Sequence, residues 1–222
     1  MIVSGKNVFN DIDLKKVRRV FLSSNFHDKD IMSRIQSNGI KYLVRDQRDL
    51  DSMSKHNQGI VVEINDYDYK SIEDVQGELV MMLDHIEDPH NFGAIIRTCE
   101  AAGIKSIIIP KDRSVVVNDT VMKTSAGTLD RVDIIQVTNL VNAINYLKKQ
   151  GYFIYGADMN GVDYKKATYA DKNVLVIGNE GKGISKIVRD NLDEVISIPM
   201  KGSVNSLNAS VAAAILIYGI GE

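Results

Sequence analysis

Apolar positions recur along the chain in two rhythms. Apolar runs at residues 17–22, 40–44 and 59–64 predict three strands. Three-to-four spacing over 29–37, closed by Asn38-Gly39, predicts a helix between the first two, and a shorter helix is expected over 50–55. A polar stretch over 65–76, NDYDYKSIEDVQ, interrupts this small α/β unit. The pattern then repeats on a larger scale. Strands are expected at 79–83, 105–109, 132–137, 152–155, 174–177 and 195–198, with helices from Pro89, over 140–150 up to Gly151, and over 205–218. Strands separated by helical segments imply an α/β protein with a mostly parallel sheet and helices on both faces. The expected layout is a small domain over 1–70, a linker over 71–78 and a larger domain over 79–222.

Composition narrows the picture. The 222 residues are 44% hydrophobic and 25% charged, with net charge −2, which is ordinary globular composition. One cysteine, Cys99, excludes an internal disulfide framework and a cysteine-rich zinc site, and fits a reducing, cytoplasmic address. No metal site is expected. The first ten residues, MIVSGKNVFN, lack the apolar core of a signal peptide. The apolar run over 211–218 is far shorter than the roughly 20 residues of a membrane span, so no membrane association is expected. Residues 1–75 carry 12 basic and 12 acidic side chains, so any nucleic-acid site must be a local patch. Lys15, Lys16, Arg18 and Arg19 are the densest basic cluster, read either as backbone-phosphate contacts or as a solvated face.

Three stretches carry candidate chemistry. Residues 84–100, DHIEDPHNFGAIIRTCE, follow a strand and enter a helix at Pro89. Asn91 then falls at the carboxyl edge of the sheet, where ligands of α/β folds sit, and Arg97 lies near two turns further on. Helix capping and a solvated helix charge are the plain alternatives. Residues 174–185, VLVIGNEGKGIS, run from a buried strand into Gly178, Gly181 and Gly183, which let backbone N–H groups approach a ligand. The spacing is neither that of a Walker loop nor that of a dinucleotide fingerprint, and a simple strand–turn–helix junction is the alternative. Residues 196–210, ISIPMKGSVNSLNAS, leave a strand at Pro199. They place five small hydroxyl or amide side chains in eight residues, more than one helix start requires. Cys99 reads as a small buried residue, and His27 and His56 as structural or surface residues.

In order, these stretches resemble the motifs of the SpoU (TrmH-like) branch of the SPOUT RNA methyltransferases. The segments are Asp88-Pro89-His90-Asn91-x-Gly93-Ala94-x-x-Arg97-Thr98, Gly178-Asn179-Glu180-Gly181-x-Gly183 and Ile198-Pro199-Met200-x-Gly202-x-Val204-x-Ser206-Leu207-Asn208-x-Ser210, with Ser125-Ala126-Gly127 as a further recurrent piece. Gly5-Lys6-Asn7-Val8 and His56-Asn57-Gln58-Gly59-Ile60 resemble the family's substrate-binding domain, a fold akin to RNA-binding ribosomal proteins. Asn57 departs there from the usual His-Gln-Gly.

The resemblance implies a parallel α/β sheet with a C-terminal trefoil knot, a rare exception to unknotted chains. It implies S-adenosylmethionine bound in that knot, with Gly178, Ile198, Leu207, Asn179, Gly183, Met200 and Ser125 as contacts. It implies a homodimer and methylation of a ribose 2′-hydroxyl. The two-domain layout is most similar to family members that modify a guanosine of 23S ribosomal RNA. Arg97, Asn91, Glu180, Ser206 and Asn208 are the catalytic candidates by resemblance. Arginine is a poor base, so a guanidinium clamp on developing alkoxide charge is preferred to a neutral arginine base. A transfer RNA ribose methyltransferase and a non-catalytic RNA-binding protein of the same fold are the rival readings. A nucleotide-dependent metabolic enzyme is disfavoured by the missing dinucleotide fingerprint.

Overall fold

The computed structural model describes residues 1–220. In chain order the elements are β1 (Ile2–Ser4), α1 (Lys6–Asp11), β2 (Val17–Ser23), α2 (Lys29–Ser37), β3 (Tyr42–Arg45), α3 (Gln47–Met53) and β4 (Ile60–Ile64). They continue with β5 (Leu79–Asp84), α4 (Pro89–Ala101), β6 (Ser106–Pro110), α5 (Asp119–Thr124), β7 (Asp133–Val137) and α6 (Leu140–Lys149). The last five are β8 (Phe153–Asp163), β9 (Asn173–Gly178), α7 (Lys186–Arg189), β10 (Glu194–Ser197) and α8 (Ala209–Ile220). The chain forms two compact units: Met1–Asp68 with Val117–Gly127, and Tyr69–Val116 with Thr128 onward.

The first unit carries a four-stranded sheet in the order β1-β4-β2-β3. β4 runs antiparallel to both β1 and β2, and β2 is parallel to β3. Val20 and Leu22 of β2 and Ile60 and Val62 of β4 pack with Phe9 of α1 and Ile31 and Ile35 of α2. Asp28 caps α2 by accepting from Ile31 N, and Asn38 follows its last turn, where Asn38-Gly39 predicted a stop. β1 has three residues, too short for any periodicity to register.

The segment Val117–Gly127 packs with this unit, although a boundary at 79 groups it with the larger domain. The anchor is Asp119. Its Oδ1 accepts from Ser4 N at 2.8 Å, and its Oδ2 from Ser54 Oγ at 3.0 Å and Lys123 Nζ at 2.8 Å. Met122 adds to the apolar core below.

The second unit carries six strands in the order β10-β8-β9-β5-β6-β7, every adjacent pair parallel. Both faces are buried, so β5, β6 and β9 read as continuous apolar runs instead of alternating ones. One face packs Val80, Met82, Ile108 and Val176 against Leu140, Ile144 and Leu147 of α6. α4 and α8 pack together, and α8 meets β9.

The stretch expected as a linker is built into this unit. Lys70 N donates to Ile134 O, Gln136 N donates to Lys70 O, and Ile72 and Val75 join the core. β8 runs eleven residues where four were expected, and α8 begins four residues later than the pattern predicts.

Candidate functional site

The site lies at the carboxyl ends of β5 and β9, where loops of a parallel sheet collect. Pro89 opens α4, and Asp88 supplies the cap by accepting from His90 N at 2.9 Å. Asn91 is therefore not the cap. It is buried in the first turn, and its amide works across the fold. Nδ2 donates to Glu180 Oε1 at 2.8 Å, and Oδ1 accepts from Asn208 Nδ2 at 2.9 Å. Asn208 also caps α8, its Oδ1 accepting from Ser210 N at 2.9 Å. Three side chains from the three sequence stretches thus form one hydrogen-bonded line.

The turn after β9 is closed on itself. Asn179 and Gly183 exchange backbone hydrogen bonds of 3.1 and 2.8 Å, and Asn179 Oδ1 accepts from Gly181 N at 3.0 Å. Gly178 has no room for a side chain: a Cβ there would lie 2.2 Å from Gly183 C and Ile184 N. That close approach is the local reason for glycine.

A cavity of about 380 Å3 opens beside this turn. Its rim includes Gly178, Asn179, Glu180 and Gly183, and its wall Ile198, Met200, Ser206 and Leu207. Ala157, Asp158 and Met159 of β8 close one side. Sequence reasoning missed this last group because β8 was read as ending at 155. Asp158 is held by a two-point ion pair with Arg189, both contacts at 3.0 Å. The mix of apolar wall, exposed glycine backbone and two carboxylates, Asp158 and Glu180, suits a medium-sized polar ligand.

Two expected residues lie elsewhere. Ser125 sits fully buried in the first unit, its hydroxyl donating to Met122 O at 3.2 Å. Arg97 is exposed on α4 and makes no hydrogen bond or ion pair among the described residues. Six positions turn an α-helix by about 240°, which separates Arg97 from the buried face that holds Asn91.

One further residue emerges. Asp84, at the end of β5, is 1% exposed. Its Oδ2 accepts from Ser185 N at 2.6 Å and its Oδ1 pairs with His85 Nδ1, while His85 O accepts from Asn179 Nδ2 at 2.8 Å. The dipeptide Asp84-His85 therefore grips both ends of the glycine turn. His85 adopts φ 60° to do so, a left-handed conformation uncommon outside glycine. Only the position of Asp84 at a strand end hinted at this.

Cys99 is buried and its thiol is pushed up by burial, which removes it as a nucleophile. Among the described residues no His, Cys, Asp and Glu group could hold a metal ion, and no helix is long and apolar enough to cross a membrane.

A parallel α/β sheet with a glycine turn, a cross-linked asparagine and a cavity at its carboxyl edge has the make-up of a ligand-binding site. The SpoU rRNA Methylase family matches residues 78–218, and the family described as RNA 2′-O ribose methyltransferase substrate binding matches residues 11–70. The chain belongs to the SpoU family of RNA methyltransferases. A protein of Staphylococcus haemolyticus described as a TrmH family tRNA/rRNA methyltransferase is 44% identical over 172 residues, covering 73% of this chain and 69% of its own. The SpoU methyltransferase AviRb of Streptomyces viridochromogenes, solved with AdoMet, matches with a TM-score of 0.85. It shares 22% identity, covering 99% of this chain and 88% of its own, a likeness of fold. The TrmH/SpoU tRNA modifying enzyme of A. aeolicus matches with a TM-score of 0.59 at 31% identity, covering 67% of this chain and 76% of its own.

Proposed function

We propose that the chain transfers a methyl group from S-adenosylmethionine to a ribose 2′-hydroxyl, on a guanosine of 23S ribosomal RNA in the cytoplasm. The carrying observation is the Asn208–Asn91–Glu180 line, which ends at a carboxylate on the rim of the cavity. The cofactor fits the residues present: the closed turn at Gly178 forms a cradle of bare backbone on the rim, and Ile198, Met200 and Leu207 offer apolar surface. AviRb, with the same fold, was solved with AdoMet. When bound, the cofactor supplies an electrophilic methyl group.

The protein's own task is to hold the 2′-oxygen in line and to stabilise the negative charge that grows on it. Arg97, which lies outside the cavity of a single chain, does this as a charged clamp supplied across the homodimer of this same reading, where the site draws on both subunits; it is free of any internal ion pair that would compete for its guanidinium. Asn91 fixes the direction of the Glu180 carboxylate, which accepts hydrogen bonds from the nucleotide. Ser206 presents its hydroxyl to the ribose from the cavity wall.

The segment from Ile198 to Asn208 is taken to be tucked through a loop as a trefoil knot. Support comes from the way it shares one cavity with the turn after β9. A homodimer is part of the same reading. α8 is apolar nearly all round, yet Val211 and Tyr218 stay exposed at 47% and 55%, a face that a second copy would cover. The substrate-binding match over 11–70 favours ribosomal over transfer RNA.

The test is transfer of tritiated methyl from S-adenosylmethionine to unmodified ribosomal and transfer RNA, with Arg97→Ala as control. Label on ribosomal RNA alone, lost in the variant, is the expected result. Label on transfer RNA alone overturns the substrate, and label on neither, with the cofactor bound, overturns the catalytic reading.

A further inference from the structure

The first unit holds a separate concavity of about 890 Å3, beyond the end of β2 and beside the turn that leads into β4. Its floor is a built feature. Asn57 is 1% exposed and all of its amide is engaged. Nδ2 donates to Asp51 Oδ1 and to Ser54 O, both at 2.8 Å, and Oδ1 accepts from Gly59 N at 2.9 Å and Gln47 Nε2 at 3.1 Å.

The residues on either side, His56 and Gln58, have φ of 57° and 54°. Two non-glycine residues in the left-handed region, two positions apart, are an unusual expense for a turn of no consequence. The result is that both side chains are exposed at the concavity while the backbone between them is locked. Gln58 Oε1 also accepts from Lys6 N at 2.8 Å, tying the turn to the start of α1.

The groups facing this space are complementary to one kind of ligand. Phe26 supplies a half-buried ring, with Lys6 Nζ 5.4 Å from its centroid. Lys6 is already paired with Asp28 at 2.9 Å, and Asp51 already holds two amides. The side chains of His27, Lys55 and His56 are exposed and make no hydrogen bond or ion pair among the described residues. An aromatic surface, imidazole and amide edges and one uncommitted ammonium are the means by which proteins hold an unpaired nucleotide. A paired duplex hides its base faces and would leave the ring and the imidazoles idle.

We infer that this concavity takes one unpaired nucleotide of the RNA substrate, its base against Phe26, its edge read by His56 and Gln58, and its phosphate at Lys55. The inference rests on the RNA-methyltransferase reading and adds to the substrate-binding match over 11–70 the particular concavity and the single unpaired nucleotide it would hold.

The experiment is fluorescence polarisation with the full chain, using a labelled single-stranded RNA oligomer of mixed sequence and a fully paired hairpin of equal length. The variants are His27→Ala, Lys55→Ala and His56→Asn, asparagine being chosen because it tolerates the left-handed backbone. The single strand is expected to bind about tenfold more tightly than the hairpin, and each variant to weaken it by about three- to tenfold. Lys55→Ala should also lower the salt slope by about 0.7. Melting temperature and cofactor affinity should match the wild type, which separates recognition from folding and from the catalytic cavity.

Wild-type affinity in all three variants overturns the inference, as does equal binding of the hairpin. If the wild type methylates RNA and the variants keep its KM, the recognition site falls and the methyltransferase reading stands. If the variants lose oligomer binding while the wild type methylates no RNA, the site stands and the methyltransferase reading falls.

Discussion

Asn91 Nδ2 donates to Glu180 Oε1 at 2.8 Å across 89 positions of sequence, and the same amide accepts from Asn208. An amide suits this position, because it donates to one neighbour and accepts from the other. Asn91→Asp keeps the shape but sets a second carboxylate against Glu180. The substitution is expected to cost about 1–3 kcal/mol of stability. It should lower the melting temperature by several degrees and methyl transfer by about a hundredfold. Thermal denaturation beside a tritium assay checks both, and wild-type values in each would show that the line is incidental.

Gly178 makes a sharper prediction, since the contact there is with backbone. Gly178→Ala would drive a methyl group to 2.2 Å from Gly183 C, so the whole turn must open. Cofactor affinity measured by titration calorimetry should drop by at least tenfold. Gly181→Ala is the matched control, because its nearest neighbour would be Asn179 Oδ1 at an ordinary 3.6 Å. Equal affinity in the two variants would show that the cradle does not hold the cofactor.

Asp84 tests whether the turn is held from behind. Its buried carboxylate accepts from Ser185 N and pairs with His85, and hydrogen bonds to charged groups contribute about 1.5–3 kcal/mol. Asp84→Ala should destabilise the chain by that order and weaken cofactor binding through the displaced turn. Asp84→Asn should recover part of the affinity, because an amide oxygen can still accept from Ser185 N. Urea denaturation and titration calorimetry of the two variants check this, and equal losses in both would assign Asp84 to folding alone.

Much of this site was legible in the sequence, for physical reasons that differ by residue. Glycines clustered after an apolar strand mark a place where backbone comes close, and at Gly178 the close approach is to Gly183 and Ile184 of the same turn. Five small polar side chains over 203–210 exceed what capping requires, and one of them, Asn208, both caps α8 and reaches Asn91. What could not be read is what depends on distant partners. Asp119 looks like any first-turn acid until Ser4 and Ser54 meet it, so the packing of its segment with the first unit has no signal in the sequence. Ile72 and Val75 are two apolar residues in a polar stretch, too sparse to signal that 71–78 is packed instead of free. The run at 152–155 stopped where β8 turns polar, and with it went Asp158 and Met159 of the cavity.

Alkaline stability follows from one buried and one half-buried acid. Burial raises the Cys99 thiol, and burial beside Tyr155 pushes the Tyr169 phenol up to about 12. Both are neutral when protonated, and the folded state keeps its proton to higher pH than the unfolded chain does. Above the unfolded thiol value of about 8.5, and again above the phenol value of about 10, the unfolded state binds fewer protons, so stability falls as pH rises. Urea denaturation from about pH 7.5 to 10.5 should show a decline that begins near 8.5. Cys99→Ala should abolish that first part and leave the later one, and a decline of the same onset in the variant would assign it to other groups.

Arg97 separates function from stability most cleanly. It is exposed and uncommitted among the described residues, so its removal should change stability by no more than about 0.5 kcal/mol. As a clamp on developing charge its loss should still cut methyl transfer by at least a hundredfold. Arg97→Lys retains the charge but not the planar fork. The expected result is partial recovery with an unchanged pH–rate profile over about pH 6–9, because a guanidinium clamp does not titrate there. Full recovery in the lysine variant would show that charge alone suffices. A profile that shifts with the substitution would make Arg97 a true proton acceptor, and wild-type rate in Arg97→Ala would remove it from the machinery altogether.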